Sequence, residues 1–264
     1  MTLGILGGCG PAAGAHFYSR LVSLTAAERD ADHVDVLLSG RASTPDRTQS
    51  ILSGDRRAEE VLLREGANLV RGGADLLVLL CHTAHAYLPA LRAALSVPVL
   101  DMVALSVEEA LLHGCHHLGV LCTAGTRYAE IYDRAAKPRG VDVLYPSPLV
   151  QEQLQSLIYQ TLKRGRTDFG ATLRTAISDL AALGADAVSL SCTELSLPAA
   201  MCPACAFSWQ GGIRSMPIID PVELLARRAI TACGKRLKEK EKRHASVPLA
   251  LDSCRRSPAR GRMG

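Results

Sequence analysis

The sequence predicts an α/β fold of two pseudo-symmetric lobes, each a small parallel sheet flanked by helices, with a ligand site in the cleft between them. Two observations carry this. Short apolar runs alternate with amphipathic segments along the chain, and the second half repeats the motif order of the first. Unbroken aliphatic runs suit strands buried on both faces, and those occur in parallel sheets covered by helices.

The runs read as follows. Leu3–Gly8 (LGILGG), Val34–Ser39 (VDVLLS), Asp75–Cys81 (DLLVLLC) and Pro98–Met102 (PVLDM) are short, apolar and bounded by glycine or polar residues, so each reads as a buried strand. Between the second and third, residues 55–71 place Val61, Leu62, Leu69 and Val70 at helical spacing. The repeat then supplies the second lobe. GADLLVLLCHTAH (residues 73–85) matches GADAVSLSCTEL (residues 184–195), which sets Cys81 on Cys192, 111 residues on. LGILGG matches LGVLCT at 118–123, and SVPVLDMV (96–103) matches SMPIIDPV (215–222). Three blocks in one order at drifting offsets indicate a duplicated α/β unit rather than a solenoid, which needs more copies. The expected division is residues 1–103 for the first lobe and 104–233 for the second. A helix near 101–116 bridges them, and the last helix can pack back on the first lobe.

Composition narrows the function classes. Hydrophobic residues make up 48% of 264 and charged residues 21%, ordinary for a globular enzyme. No apolar run reaches the roughly 18–20 residues of a membrane helix. The start, MTLGILGGCG, lacks the basic and apolar regions of a secretory signal. Nine cysteines without such a signal read as free thiols in a reducing cytoplasm. The net charge of +4 is misleading. From Lys235 onward ten Lys/Arg face three Asp/Glu, so the residues before it carry −3. Residues 234–264 read as a basic, disordered tail. No aromatic residues interleave its charges for base stacking, so nucleic acid is not an expected partner, and neither is a membrane.

Several residues stand out for chemistry. Cys81 and Cys192 each follow a strand, where ligands of open parallel sheets bind. One buried cysteine is ordinarily a small apolar side chain, but two at matched positions are harder to explain by packing. A helix start beside each thiol favours the thiolate, and His85, four residues after Cys81, is placed to reach back toward it. Other readings stay open. Cys81, His82 and His85, with His116 and His117, could ligate a metal, although the matched Cys192, Thr193 and Glu194 form a weak ligand set, so no metal is expected. Cys202 and Cys205 form a C-x-x-C in a proline-rich loop, out of place for redox use. GILGGCGPAAG lacks both nucleotide-binding spacings and suits a small carboxylate at Gly8, Cys9 and Gly10 instead. Asp46 and Arg47 in STPDRTQ, and Lys163 at the end of IYQTLKRG, lie in segments that can border the cleft. There a guanidinium and an ammonium would capture carboxylates. Lys163 could alternatively carry pyridoxal phosphate, but no phosphate cup accompanies it.

Cys81-His82-Thr83, Cys192-Thr193-Glu194 and the opening GILGG-x-GP together resemble the aspartate/glutamate racemase family over roughly residues 2–230. The resemblance implies a two-lobed α/β enzyme, cofactor-independent and homodimeric, that interconverts the L- and D-forms of an acidic amino acid. It implies Cys81 and Cys192 as opposed proton-transfer groups and Arg47 and Lys163 as carboxylate anchors. Thr83, Thr126 and Thr193 are implied as polar residues lining the site. Three positions depart from the family pattern: His82 stands where asparagine is usual, Cys9 where methionine is usual, and Gly14 where threonine is usual. His82 therefore bears on how substrate is held. Related activities on the same scaffold are racemisation of another amino acid or a hydantoin, maleate isomerisation, and decarboxylation of an arylmalonate. A non-catalytic amino-acid-binding or redox-sensing protein is a further alternative.

Overall fold

The computed structural model describes residues 1–166, 169–197 and 216–238. The Cys202/Cys205 pair and most of the basic tail lie outside these. The first sheet contains β1 (Thr2–Leu6), β2 (Asp35–Ser39), β3 (Leu76–Leu79) and β4 (Val99–Leu100) in the order β2-β1-β3-β4, all parallel. The second contains β5 (His117–Val120), β6 (Asp142–Leu144), β7 (Ala187–Ser189) and β8 (Ile218–Ile219) in the order β6-β5-β7-β8, again all parallel. The two orders coincide, and the sequence matches pair β1 with β5, β3 with β7 and β4 with β8.

The helices are α1 (Pro11–Leu24), α2 (Arg47–Ser53), α3 (Arg57–Arg71), α4 (Leu88–Ala94), α5 (Met102–Leu112), α6 (Ala124–Tyr128), α7 (Ile131–Ala136), α8 (Pro148–Ser156), α9 (Gly170–Ala182) and α10 (Pro221–Ala232). The repeat preserves local chemistry as well as order. Asp101 caps α5 by accepting from the Val103 and Ala104 N–H groups, and Asp220 caps α10 through Val222 and Glu223. Asp75 accepts from the Thr2 N–H at the start of β1, and Asp186 from His116 and His117 at the start of β5.

β3 shows why its run is uniformly aliphatic. Side chains alternate across a strand. Leu76, Val78 and Leu80 enter a central core, while Leu77, Leu79 and Cys81 enter an outer core with Leu62, Leu69 and Leu91. β7 divides likewise, with Ala187 in the central core and Val188, Leu190 and Cys192 in the outer core of the second lobe. The central core is shared. Phe17, Met102, Val107, Leu118, Val120, Tyr132 and Leu225 from both halves fill it, and α10 packs on α1 and α5. On α3, Leu62 and Leu69 are buried, whereas Val61 and Val70 stay half-exposed at its flanks. Residues 236–238 run against the end of α1, with Ala26 donating to the Arg236 carbonyl and Lys238 to that of Leu24.

Candidate active site

The carboxyl ends of both sheets face a small cavity. Its wall includes Cys9, Arg47, Cys81, His82, Thr83, Lys163, Cys192, Thr193 and Glu194, together with Thr48, Thr123 and Tyr159. The enclosed volume is about 20 Å³, room for about one water molecule. The structure thus brings the two matched cysteines to one cavity.

Each cysteine is followed by a 3-10 segment: Thr83–Tyr87 after Cys81, which runs directly into α4, and Thr193–Leu195 after Cys192. The local N–H groups still act, since the Ala84 N–H supports the Cys81 sulfur. The larger influence on Cys81 is a hydrogen bond from the Cys9 thiol, followed by the charges of Arg47 and Lys163. Together they overcome burial and hold the Cys81 thiol well below the ordinary cysteine range. Cys9, hydrogen-bonded to Cys81 and buried, is pushed the other way and stays a thiol. Cys192 is also raised, by burial first and then by the Glu194 carboxylate, to whose Oε2 it donates at 3.1 Å. These surroundings favour a thiolate at Cys81 and a thiol at Cys192.

Arg47 is the first residue of α2 and is 7% exposed. Its Nη1 donates to the Pro45 carbonyl at 3.0 Å and its Nη2 to that of Cys9. Its buried Nε has no hydrogen-bond partner. Lys163 is carried by an irregular segment in which α8 continues through a π turn (Leu157–Thr161) into a 3-10 turn (Leu162–Arg164). Such turns recur at functional sites because they re-aim side chains. The Lys163 ammonium pairs with Glu194 Oε1 and lies 5.6 Å from the Tyr159 ring centre. Burial works against that ammonium, but Glu194 outweighs it and raises its pKa. Burial likewise opposes the Glu194 carboxylate, and Lys163 holds its pKa below the usual value.

Not every residue singled out from sequence reaches the cavity. His85 turns away from the Cys81 sulfur. Its Nδ1 lies 2.8 Å from the Cys81 carbonyl and its Nε2 accepts from the Met102 N–H, so it ties the cysteine turn to α5. The reason is geometric: Cys81 precedes the 3-10 segment that carries His85, so the i, i+4 side-chain spacing of an α-helix does not hold between them. Thr126 lies one layer behind the wall, in a buried triangle of hydroxyls with Thr83 and Thr123 at 2.9–3.1 Å that joins the lobes. Asp46 caps α2 and accepts from the Tyr159 hydroxyl at 3.0 Å. Gly8 and Gly10 are close-approach positions. A Cβ at Gly8 would lie 2.4 Å from the Arg41 carbonyl oxygen, and one at Gly10 would lie 2.6 Å from Glu194 Oε1. This turn contributes its Cys9 carbonyl to Arg47, a use not expected from the motif. The metal reading finds no geometry: His85 is engaged at both nitrogens by backbone groups, His116 and His117 are exposed at the start of β5, and among the described residues no group of three His, Cys, Asp or Glu side chains could hold a metal ion.

Tyr159, Thr48 and Thr123 were missed in the sequence. Thr123 was within reach, because it ends LGVLCT where the matched first-lobe block ends in Gly8. Tyr159 sits four residues before Lys163, and only the π turn sets the two side by side.

A two-lobed α/β fold with a cavity at the strand ends of both sheets is the class that the structure defines, and the comparisons give its family. The chain belongs to the Asp/Glu/Hydantoin racemase family, whose model matches residues 6–229. Members are racemases, and racemases are isomerases. The chain is 26% identical over 199 residues to the broad specificity amino-acid racemase RacX of Bacillus subtilis, covering 74% of this chain and 86% of that one. It is 30% identical over 145 residues to the glutamate racemase of Deinococcus radiodurans, covering 53% of this chain and 49% of that one. The structure of Picrophilus torridus aspartate racemase superposes with a TM-score of 0.76 at 26% identity, covering 90% of this chain and 96% of that one. Among the described residues no helix is long and apolar enough to cross a membrane.

Cys9 offers a direct handle on the thiolate. Cys9→Ala removes the first support of the Cys81 charge, so the Cys81 pKa rises. The acidic limb of the pH profile of kcat/KM is expected to move to higher pH, with the plateau at alkaline pH retained. A limb at the parent position would show that Cys9 does not tune Cys81.

Proposed function

We propose that this protein racemises an acidic amino acid, aspartate or glutamate, by transferring protons between Cys81 and Cys192 without a cofactor. The supporting observation is that two cysteines at matched strand ends line one cavity, in environments that favour a thiolate at Cys81 and a thiol at Cys192. A base must be deprotonated and its partner protonated before each turnover, and the environments of Cys81 and Cys192 provide that pair. The Cys81 thiolate takes the α-proton and the Cys192 thiol returns one to the opposite face. The charge left behind spreads into the α-carboxylate, where Arg47 and Lys163 stabilise it in a site shielded from water.

Lys163 is unsuited to carrying pyridoxal phosphate. A Schiff-base lysine needs a lowered pKa, and Glu194 raises that of Lys163. Hydroxylamine treatment is expected to leave activity intact, and loss restored by added pyridoxal phosphate would overturn the cofactor-free proposal.

A second reading, racemisation of a wider set of amino acids, is favoured by the ion pair itself. Lys163 is already neutralised by Glu194, so less positive charge is free for a second carboxylate. The deciding experiment is a chiral chromatography panel of all common amino acids, hydantoins and maleate. Turnover confined to aspartate or glutamate supports the first reading. Comparable turnover of neutral or basic amino acids supports the second. Turnover of only hydantoins or maleate overturns both.

A further inference from the structure

His82 is 2% exposed and lines the cavity beside Cys81, yet its Nε2 is buried without a hydrogen-bond partner. A buried polar atom left unpaired costs about 1–3 kcal/mol, so a group that persists this way is suited to a partner supplied by a ligand. What that nitrogen can offer depends on the other side of the ring. Nδ1 lies 2.9 Å from the Tyr132 hydroxyl, and the two rings stack with centres 5.8 Å apart.

Tyr132 is fully buried in α7, and burial raises its pKa to about 12, so it keeps its proton. That proton has three acceptors in reach: His82 Nδ1 at 2.9 Å, Ser106 Oγ at 3.4 Å and Ser189 Oγ at 3.5 Å. The imidazole nitrogen is the nearest by a wide margin. A phenol that donates to Nδ1 leaves the ring proton on Nε2, the nitrogen that has no partner within the protein. The ring is neutral as well, since burial and then the neighbouring His85 push its pKa well down.

Resting on the racemase reading above, we infer that His82 is a catalytic residue: a neutral imidazole whose Nε2–H donates to the substrate α-carboxylate and stabilises the charge that collects there when Cα is deprotonated. A neutral donor suits this position. It adds no further cation to Arg47 and Lys163, and its bond strengthens as the carboxylate gains enediolate character. That is the condition for accelerating the chemical step rather than merely binding substrate. Tyr132 is then a positioning residue that acts through the tautomer.

The test has two independent arms on the full-length protein. Nitrogen-15 NMR of histidine-labelled protein, with the His82 signals assigned by their loss in His82→Asn, is expected to show Nε2 protonated and Nδ1 bare. Racemisation kinetics on the amino acid that the chiral panel identifies form the other arm. His82→Leu is expected to lower kcat about 10²–10³-fold with a much smaller change in KM. His82→Asn restores an N–H donor and should recover to within about tenfold of the parent. A bare Nε2 in the NMR arm overturns the inference whatever the kinetics. So does a His82→Leu protein that turns over within about threefold of the parent. Should His82→Leu fail to fold, the tautomer and the His82→Asn rate decide. A parent inactive on every acidic amino acid fails the function proposal alone, because the tautomer is still read.

Discussion

Cys81→Ala and Cys192→Ala will each stop racemisation, lowering kcat by about 10²–10⁴-fold, the range expected for loss of a positioned acid or base. The two variants should nevertheless fail differently. In Cys192→Ala the Cys81 thiolate keeps its supports, the Cys9 thiol, Arg47 and the Ala84 N–H. It can still take the α-proton of the enantiomer that presents it, and in deuterium oxide that enantiomer should exchange its α-proton without inverting. In Cys81→Ala the remaining cysteine is a thiol held neutral by burial and by Glu194. Neither enantiomer should then exchange. The readout is proton NMR of the α-position beside chiral chromatography. A single variant that racemises both enantiomers at the parent rate would remove its cysteine from the mechanism.

Lys163→Met should be the most destabilising substitution in the site. It leaves the Glu194 carboxylate, 5% exposed, without its cation. Breaking a buried pair from one side costs about 3–5 kcal/mol. Because the Lys163 side chain keeps 23% of its surface in solvent, about 2–3 kcal/mol is the reasonable expectation. The double variant Lys163→Met/Glu194→Gln should recover most of that loss, since no uncompensated charge remains. The pH dependence has a definite sign. In the parent, Lys163 holds the Glu194 pKa below the ordinary value, so the pair's contribution is present above the usual glutamate range and is lost as pH falls through the folded pKa. In Lys163→Met the Coulombic support is gone and burial pulls that pKa up against the remaining hydrogen bonds, so the variant gains relative stability on acidification. The stability gap, measured by urea unfolding, should be widest near neutral pH and should narrow toward pH 4. A gap independent of pH would show that the lost stability does not come from Glu194.

Much of the architecture was legible because it depends on short-range pattern. Doubly buried strands must be aliphatic throughout, which exposed Leu76–Leu80, and duplication exposed its counterpart around Val188 and Leu190. The Asp101 and Asp220 caps repeat because each opens a helix directly after a matched strand. β6 is a three-residue edge strand whose signal is short, although Val141-Asp142-Val143-Leu144 repeats Val34-Asp35-Val36-Leu37 at the equivalent edge strand β2. The shared central core was not legible, because contacts between α10 and α1 join residues some two hundred positions apart and leave no local period.

The same distinction holds within the site. Residue order was enough to place Cys81 and Cys192 at equivalent strand ends, because strand, turn and glycine signals are local and the repeat compares them directly. It could not say which thiol is charged. Cys81 and Cys192 have the same chemistry and equivalent positions. The difference comes from what the fold sets beside each: Cys9 and Arg47 against one sulfur, the Glu194 carboxylate against the other. Nor could it say that His85 would serve the backbone while His82 kept one buried nitrogen unpaired and bonded through the other to Tyr132, fifty residues away in the other lobe. Protonation and tautomer follow the local field and the available hydrogen-bond partners, and in this protein both are assembled across the cleft by segments that are remote in sequence.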